Sequence, residues 1–172
     1  MDVLTTFERR RIEEHRLCGW VLATSVSYTL MAKWDDFVFD GFQIIRNRDI
    51  TKQYVSDSNR YWSKLMRVEG NWSTTLPRGL RKLDLTSWAT ILSGIKAEVV
   101  IVEDERKAGP FLIGPVVAST KTAVTIHHFD GVGEWQDPEA IAFSRITTCC
   151  FMDRYSTTLA KYLTWGDDDH AP

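Results

Sequence analysis

The stretch LCGWVLATS at residues 17–25 decides the fold, because LIGPVVAST at residues 112–120 repeats its pattern. Laid over each other at an offset of about 95 residues, both stretches place Leu, Gly, Val and Ala at alternate positions. In the first stretch these are Leu17, Gly19, Val21 and Ala23. An alternating pattern of this kind predicts a strand, and its recurrence predicts that one strand-rich unit occurs twice in the chain.

The match continues beyond these two stretches after a gap of one residue. The further coincidences are Thr29 over Thr125, Ile45 over Ile141, Ile50-Thr51 over Ile146-Thr147, and Asp57 over Asp153. The apolar pattern and the order of predicted elements repeat as well. We therefore interpret the chain as an internal duplication.

Each copy is predicted to begin with a helix and to continue with four or five short strands. In the first copy, Thr5 and Glu8 have the spacing of a capping box, which predicts a charged helix through about Arg16. In the second copy, LTSWATILSGIK at residues 85–96 has apolar residues at helical spacing. Strands are predicted at residues 18–24, 28–34, 37–46 and 49–55, and again at 97–105, 111–119, 123–129, 140–143 and 145–152.

Two further helices are predicted outside these strands. In residues 56–84, Asp57 is placed to cap a helix that carries Trp62, Leu65 and Met66, and Gly70 is placed to end it. This segment is rich in basic residues and reads as a helical linker. RYSTTLAKYLTW at residues 154–165 predicts the matching helix of the second copy, and GDDDHAP at residues 166–172 predicts a disordered acidic tail.

The lengths and apolar faces of the strands favour small barrels. Runs such as GWVLA and AVTIHHF carry apolar residues on both faces, so they need a barrel interior on one side and a helix or a neighbouring copy on the other. We predict a mainly β fold with short helices, made of two tandem five-stranded SH3-like barrels that are each preceded by a helix. The predicted boundaries are 1–55 for the first module, 56–84 for the linker, 85–165 for the second module and 166–172 for the tail.

This pattern resembles the Sm-like fold and an uncharacterised bacterial protein family with the same helix-and-barrel organisation. The residues that carry the resemblance are Gly19-x-Val21 and Gly114-x-Val116, Asp40-Gly41 at the middle hairpin, and the closing pairs Ile50-Thr51 and Ile146-Thr147. Sm-like proteins bind RNA in a ring and use a basic residue followed by glycine in the last hairpin. That hairpin reads Arg46-Asn47-Arg48-Asp49 in copy one and Ala142-Phe143-Ser144-Arg145 in copy two, and neither contains the glycine.

Composition and charge restrict the class of protein. An apolar fraction of 44% with 26% charged residues is typical of a globular protein. The net charge of −2 gives no general attraction to nucleic acid, and no apolar run approaches the roughly 20 residues that span a bilayer. The charged N-terminal stretch lacks the apolar segment of a signal peptide. We expect a cytoplasmic protein that does not enter a membrane and that carries no cofactor.

The best candidates for chemistry are His127-His128 and Cys149-Cys150, which are predicted on neighbouring strands of copy two. Successive residues of a strand point to opposite faces, so only one His and one Cys can share a site. Two ligands do not complete a zinc site, and a Cys–His pair without an orienting third group is a weak dyad. We therefore predict no catalytic and no metal-binding residues.

The sequence predicts a noncatalytic interaction or assembly module whose partner is another protein or a further copy of the chain. The alternative is RNA or single-stranded nucleic-acid binding through an Sm-like surface. The residues that this alternative assigns to binding are Arg46, Arg48, Arg60 and Lys64.

Overall fold

Eleven strands and three α-helices make up the described part of the chain. The computed structural model describes residues 3–9, 12, 16–70, 76–106 and 109–163. The helices are α1 (Asp57–Val68), α2 (Trp88–Gly94) and α3 (Arg154–Tyr162), and 3₁₀ turns span Asn47–Asp49 and Leu80–Lys82. The strands are β1 (Thr5–Glu8), β2 (Leu17–Thr24), β3 (Tyr28–Asp35), β4 (Val38–Arg46), β5 (Lys52–Tyr54), β6 (Val100–Glu103), β7 (Phe111–Gly114), β8 (Val116–Ser119), β9 (Ala123–Ile126), β10 (Glu139–Ala142) and β11 (Thr148–Phe151). The predicted mainly β class is confirmed.

The strands form two antiparallel sheets. The larger has eight strands in the order β5-β1-β2-β3-β4-β11-β6-β7, and the smaller has the order β10-β9-β8. Pro115 separates β7 from β8 because proline has no N–H to donate to a ladder. The backbone N–H groups of His127 and Phe129 donate to the carbonyls of Pro115 and Ile113, both at 3.1 Å, and so connect the two sheets.

The strands β1–β5 with α1 form a first half, and β6–β11 with α3 form a second half. The two halves repeat one pairing register. Because β7 and β8 together correspond to β2, we count them as one strand, so each half has five strands. Residue 5 corresponds to 100 and residue 19 to 114, a constant offset of 95 through the first three strands of each half. The corresponding pairs include Thr5–Gly19 with Val100–Gly114, Val21–Met31 with Val116–Ile126, and Thr24–Thr29 with Ser119–Val124. The same β-bulge interrupts both hairpins, between Val21 and Ala23 and between Val116 and Ala118.

The last two strands of each half correspond at an offset of 96. The pairs are Thr29–Ile45 with Val124–Ile141, and Phe7–Gln53 with Val102–Cys149. The one-residue shift therefore falls between the third and fourth strands of each half. By register Thr29 corresponds to Val124, so the predicted match of Thr29 with Thr125 is wrong by one residue.

The connecting turns repeat as well. Ser25 N–H donates to the Tyr28 carbonyl at 2.8 Å, and the Ser25 hydroxyl accepts from Tyr28 N–H at 3.0 Å. At the corresponding turn, Thr120 makes the same two bonds with Ala123, at 2.9 and 3.0 Å. A hydroxyl that bonds the backbone in this way fixes a tight turn without glycine.

The largest hydrophobic core lies between the two halves. It contains Trp20 and Ile44 from the first half, Val102 and Ile126 from the second, and Trp88 from α2. A smaller cluster of Phe7, Met31 and Ile45 lies on the other face of the first half. Ile101 and Ile113 pack with Leu163 beneath α3.

The helices begin at side-chain caps. Ser56 accepts from Asn59 N–H and Ser87 from Thr90 N–H, each within a reciprocal capping box. Asp153 caps α3 through Ser156 N–H. The predicted cap of α1 was Asp57, one residue too late.

Two features differ from the sequence-based expectation. The segment from Thr5 to Glu8 is strand β1 and not the start of a helix, because pairing with β2 and β5 and burial of Phe7 outweigh a local capping pattern. Two tandem five-stranded barrels are not confirmed, since neither sheet is a closed barrel and the eight-stranded sheet takes strands from both predicted modules. The predicted tail at 166–172 lies outside the described residues.

Candidate interaction surfaces

The two halves join through the pairing of β4 with β11, which we call the joint. Ile45 faces Thr148, Gln43 faces Cys150, and Phe42 faces Phe151. The Gln43 side-chain amide donates diagonally across the joint to the Thr148 hydroxyl at 3.0 Å. The joint is thus the fourth strand of one half paired with the fifth strand of the other.

A polar cluster fastens one end of the joint. Gly41 has a φ of +73°, and a Cβ there would lie 2.5 Å from the backbone nitrogen of Asp153. Asp40 accepts from the backbone N–H of Arg154 at 2.9 Å and lies 3.3 Å from the Lys33 ammonium. Burial alone would raise the pKa of Asp40, but the hydrogen bond from Arg154 and the charge of Lys33 outweigh it, so the pKa is lowered.

The same two kinds of strand each form one edge of a sheet. β5 is the fifth strand of the first half and pairs only with β1, and β10 is the fourth strand of the second half and pairs only with β9, among the strands of the described chain. The other two edge strands, β7 and β8, follow each other directly through Pro115. Lys52 and Gln53 of β5 are exposed, as are Glu139 and Ala140 of β10. An unpaired strand edge can bind another strand.

The four residues assigned to nucleic-acid binding lie on three different elements, in two separate places. Arg46 and Arg48 lie at the end of β4 and in the following 3₁₀ turn, whereas Arg60 and Lys64 are exposed on α1. The Arg46 guanidinium is buried, lies 2.5 Å from Asp49 and donates to the Ser144 carbonyl at 2.9 Å. Arg46 therefore holds its own turn against the second half, and Arg48 is the exposed cation of that turn.

A cleft of about 360 Å³ lies beside Arg48. Its walls include Tyr28, Trp88 and Phe143, and the rings of Tyr28 and Trp88 meet edge to face at 4.9 Å. Asn47 lies close by, where it donates to the Ser25 carbonyl at 2.8 Å and accepts from the Thr29 hydroxyl at 2.7 Å. Asn47 thus supports the turn, while the aromatic rings and Arg48 line the opening.

The cysteine and histidine candidates do not form a common site. Cys149 and Cys150 are buried in β11, which pairs with β4 and β6 and not with β9 or β10. Burial raises the pKa of the Cys150 thiol to about 12 and raises the pKa of Cys149 well above its usual value. His127 instead stacks on Trp135 with ring centroids 4.5 Å apart. The expected proximity of the two pairs is wrong, because β11 joins the first half instead of following β10 in the small sheet.

Within residues 3–9, 12, 16–70, 76–106 and 109–163, no group of three or more His, Cys, Asp or Glu side chains is arranged to hold a metal ion. None of the helices in that part of the chain combines the length and the apolarity that a bilayer crossing requires.

No protein-family model, curated protein or solved structure matches this chain. The residues that define the edges and the joint were not singled out from the sequence. The signal that could have found Lys52 and Glu139 was the internal repeat itself, which aligns them with Thr148 and Gln43 once the offset of 96 is applied.

Proposed function

We propose that the chain is a noncatalytic assembly module, built from a duplicated Sm-like unit, that joins further copies of itself end to end through β10 and β5. The observation that carries this proposal is the joint. One half already binds the other by pairing a fourth strand with a fifth strand, and a strand of each kind is left open.

The repeated register supports the duplication. Pairing partners, the bulge and the hydroxyl-supported turn recur at offsets of 95 and 96. Coincidence in one strand pair would carry little weight, because antiparallel hairpins are common. Coincidence in four strand pairs is expected when both halves descend from one unit.

The residues at the open edges fit the same pairing between chains. Transferring the register of the joint by 96 residues places Lys52 opposite Ile141 and Tyr54 opposite Glu139 of a neighbouring chain. Lys52 then takes the place of Thr148, and Glu139 takes the place of Gln43. The diagonal Gln43–Thr148 hydrogen bond of the joint is thereby replaced by an ion pair between Lys52 and Glu139. This contact is heterologous, so it builds a ring or a filament and not a two-fold dimer.

The experiment is a charge exchange followed by light scattering after size exclusion. Lys52→Glu and Glu139→Lys each place like charges across the contact, which is worth on the order of 1–2 kcal/mol and weakens association roughly ten-fold. An equimolar mixture of the two variants restores association, because every contact between unlike chains is again oppositely charged. Lys121→Glu, in an exposed turn, is the matched control and leaves the assembly unchanged.

A wild-type chain that stays monomeric at roughly 100 μM would overturn the proposal. Lys52 and the proline before β10 would then act only as protection of the edges against aggregation. If both charge-reversed variants associate as strongly as the wild type, the contact between chains lies elsewhere on the molecule.

A second candidate function is single-stranded nucleic-acid binding, favoured by the cleft beside Arg48. Aromatic rings next to a cation suit stacked bases and phosphate. Binding would weaken steeply with salt and would be lost in Arg48→Ala, with Arg60→Ala and Lys64→Ala reporting whether α1 takes part. A titration with mixed oligonucleotides at low ionic strength that shows no binding would remove this function.

A further inference from the structure

One face of the first half is buried, whereas its register equivalent in the second half is at least partly exposed. We call it the Trp20 face: in the first half it is the side opposite the Phe7 cluster and forms part of the core shared with the second half and α2. The first half presents Trp20, Leu22, Leu30, Ala32 and Ile44 there, and all five side chains are buried. The register equivalents are Pro115, Val117, Thr125, His127 and Ala140, and none of these is buried.

Besides the second half, a segment of the chain that precedes it packs on the Trp20 face of the first half. Leu80, Leu85 and Trp88 share a core with Trp20 and Leu22. The Ser25 hydroxyl donates to the Leu85 carbonyl at 2.7 Å and so ties the segment to the β2–β3 turn. Leu22, at the bulge, is 8% exposed under this cover. The segment reads Leu-Arg-Lys-Leu-Asp-Leu at residues 80–85 and continues into α2.

The uncovered face retains apolar groups at the matching place. Val117 occupies the equivalent bulge and is 51% exposed. Trp135 lies on the same face, where it stacks on His127 and meets Phe129 edge to face at 5.8 Å, yet 44% of it is exposed. A tryptophan held rigidly by two rings and left half open is the kind of residue that anchors protein contacts.

The loop that carries Trp135 holds only negative charges. Asp130, Glu134 and Asp137 lie within residues 129–137, and that stretch contains no Lys, Arg or His. The segment of residues 80–92 that packs on the first half carries positive charge instead, because Arg81 and Lys82 follow Leu80 and are exposed. The packing of residues 80–92 on the first half and the negative charge beside Trp135 therefore both indicate a ligand that is leucine-bearing and basic.

We propose that the Trp20 face of the second half, centred on Val117 and Trp135, binds a basic, leucine-bearing segment of a partner protein, as residues 80–92 pack on the same face of the first half. This contact is distinct from the self-assembly proposed above, because it uses a face of the sheet and not its edge. It is a helix-or-turn-in-groove contact with an aromatic anchor.

The probe is a fluorescently labelled peptide of residues 76–95, titrated into the full chain and followed by anisotropy. The expected result is saturable binding that falls about ten-fold in Trp135→Ala, as for the truncation of an anchor tryptophan. Glu134→Lys weakens binding and makes the remaining affinity less dependent on salt. Val26→Ala, at an exposed valine of the first half, leaves binding unchanged.

Two further arms keep the outcome decisive. If Trp135→Ala does not fold, as judged by circular dichroism, Val117→Asp replaces it, since that position is exposed. Lys52→Glu binds the peptide as the wild type does, so failure of self-assembly leaves this result intact. No saturable binding at roughly 1 mM chain, or binding that ignores Trp135, Val117 and Glu134, overturns the proposal.

Discussion

Phe151→Ala tests whether the two halves form one cooperative unit. Phe151 is 1% exposed in β11, and its ring centroid lies 5.4 Å from that of Phe42 across the joint. It also faces Val100 on its other side, so its ring contacts strands of both halves. Truncating a fully buried phenylalanine leaves a cavity and costs about 3–5 kcal/mol, a large share of the 5–15 kcal/mol typical of a domain.

The assay is urea unfolding combined with native-state hydrogen exchange. We expect one transition shifted to lower urea, and the amides of β3 and β9 should lose the same amount of protection, because the core between the halves contains residues of both. Val26→Ala is the control and should change the unfolding free energy by less than about 0.5 kcal/mol. Loss of protection confined to the second half, or two separate transitions, would refute the shared core.

Three further predictions concern single sites. Gly114→Ala should lower the unfolding free energy by more than about 2 kcal/mol, because a Cβ there would overlap the carbonyl oxygen of His127, which follows β9. An unchanged midpoint in equilibrium denaturation would contradict this. Hydrogen bonds from Arg106 lower the pKa of Asp104 in the folded chain. The stability that this carboxylate contributes is therefore present above its unfolded pKa and is lost as the pH falls through its folded pKa. Asp104→Asn should lower the unfolding free energy at pH 7 and should make that free energy fall less between neutral and acidic pH. Cys149 and Cys150 should not react with a thiol reagent at pH 8 until urea unfolds the chain. Rapid native labelling at either of these two positions, located by peptide mass mapping to separate them from the half-buried Cys18, would show that β11 is open.

Most strands were predictable because their signal is local. The runs that became β2, β3 and β4 begin and end within two residues of the expected positions, since alternation and β-branched residues mark them directly. The predicted strand at residues 111–119 is split at Pro115, which removes a ladder hydrogen bond. The prediction of a helix at the start of the chain is wrong because Thr5 and Glu8 satisfy a helix-capping pattern. The pairing that makes these residues a strand is with residues farther along the sequence, which a local pattern does not contain.

The arrangement of the halves was not predictable in the same way. Pairing of β4 with β11 joins positions more than 100 residues apart, and neither strand carries a mark of its partner. The burial of Arg46 follows from that joint, because Ser144 of the second half accepts its hydrogen bond. A cation that the sequence assigned to nucleic-acid binding is thus buried in its own turn. Residues whose role depends on distant pairing are those that local patterns describe least well.

The most direct test of the assembly is a disulfide between chains. In the transferred register Tyr54 lies opposite Glu139 of the next chain, and directly opposed residues of antiparallel strands have Cα atoms about 4.5–5.5 Å apart, within the range of a disulfide. A chain carrying both Tyr54→Cys and Glu139→Cys should form covalent multimers on oxidation, detected by non-reducing electrophoresis and mass spectrometry. The out-of-register pair Gln53→Cys and Glu139→Cys should give far less. Only monomers from the first pair, or equal yields from both, would contradict the proposed edge-to-edge assembly.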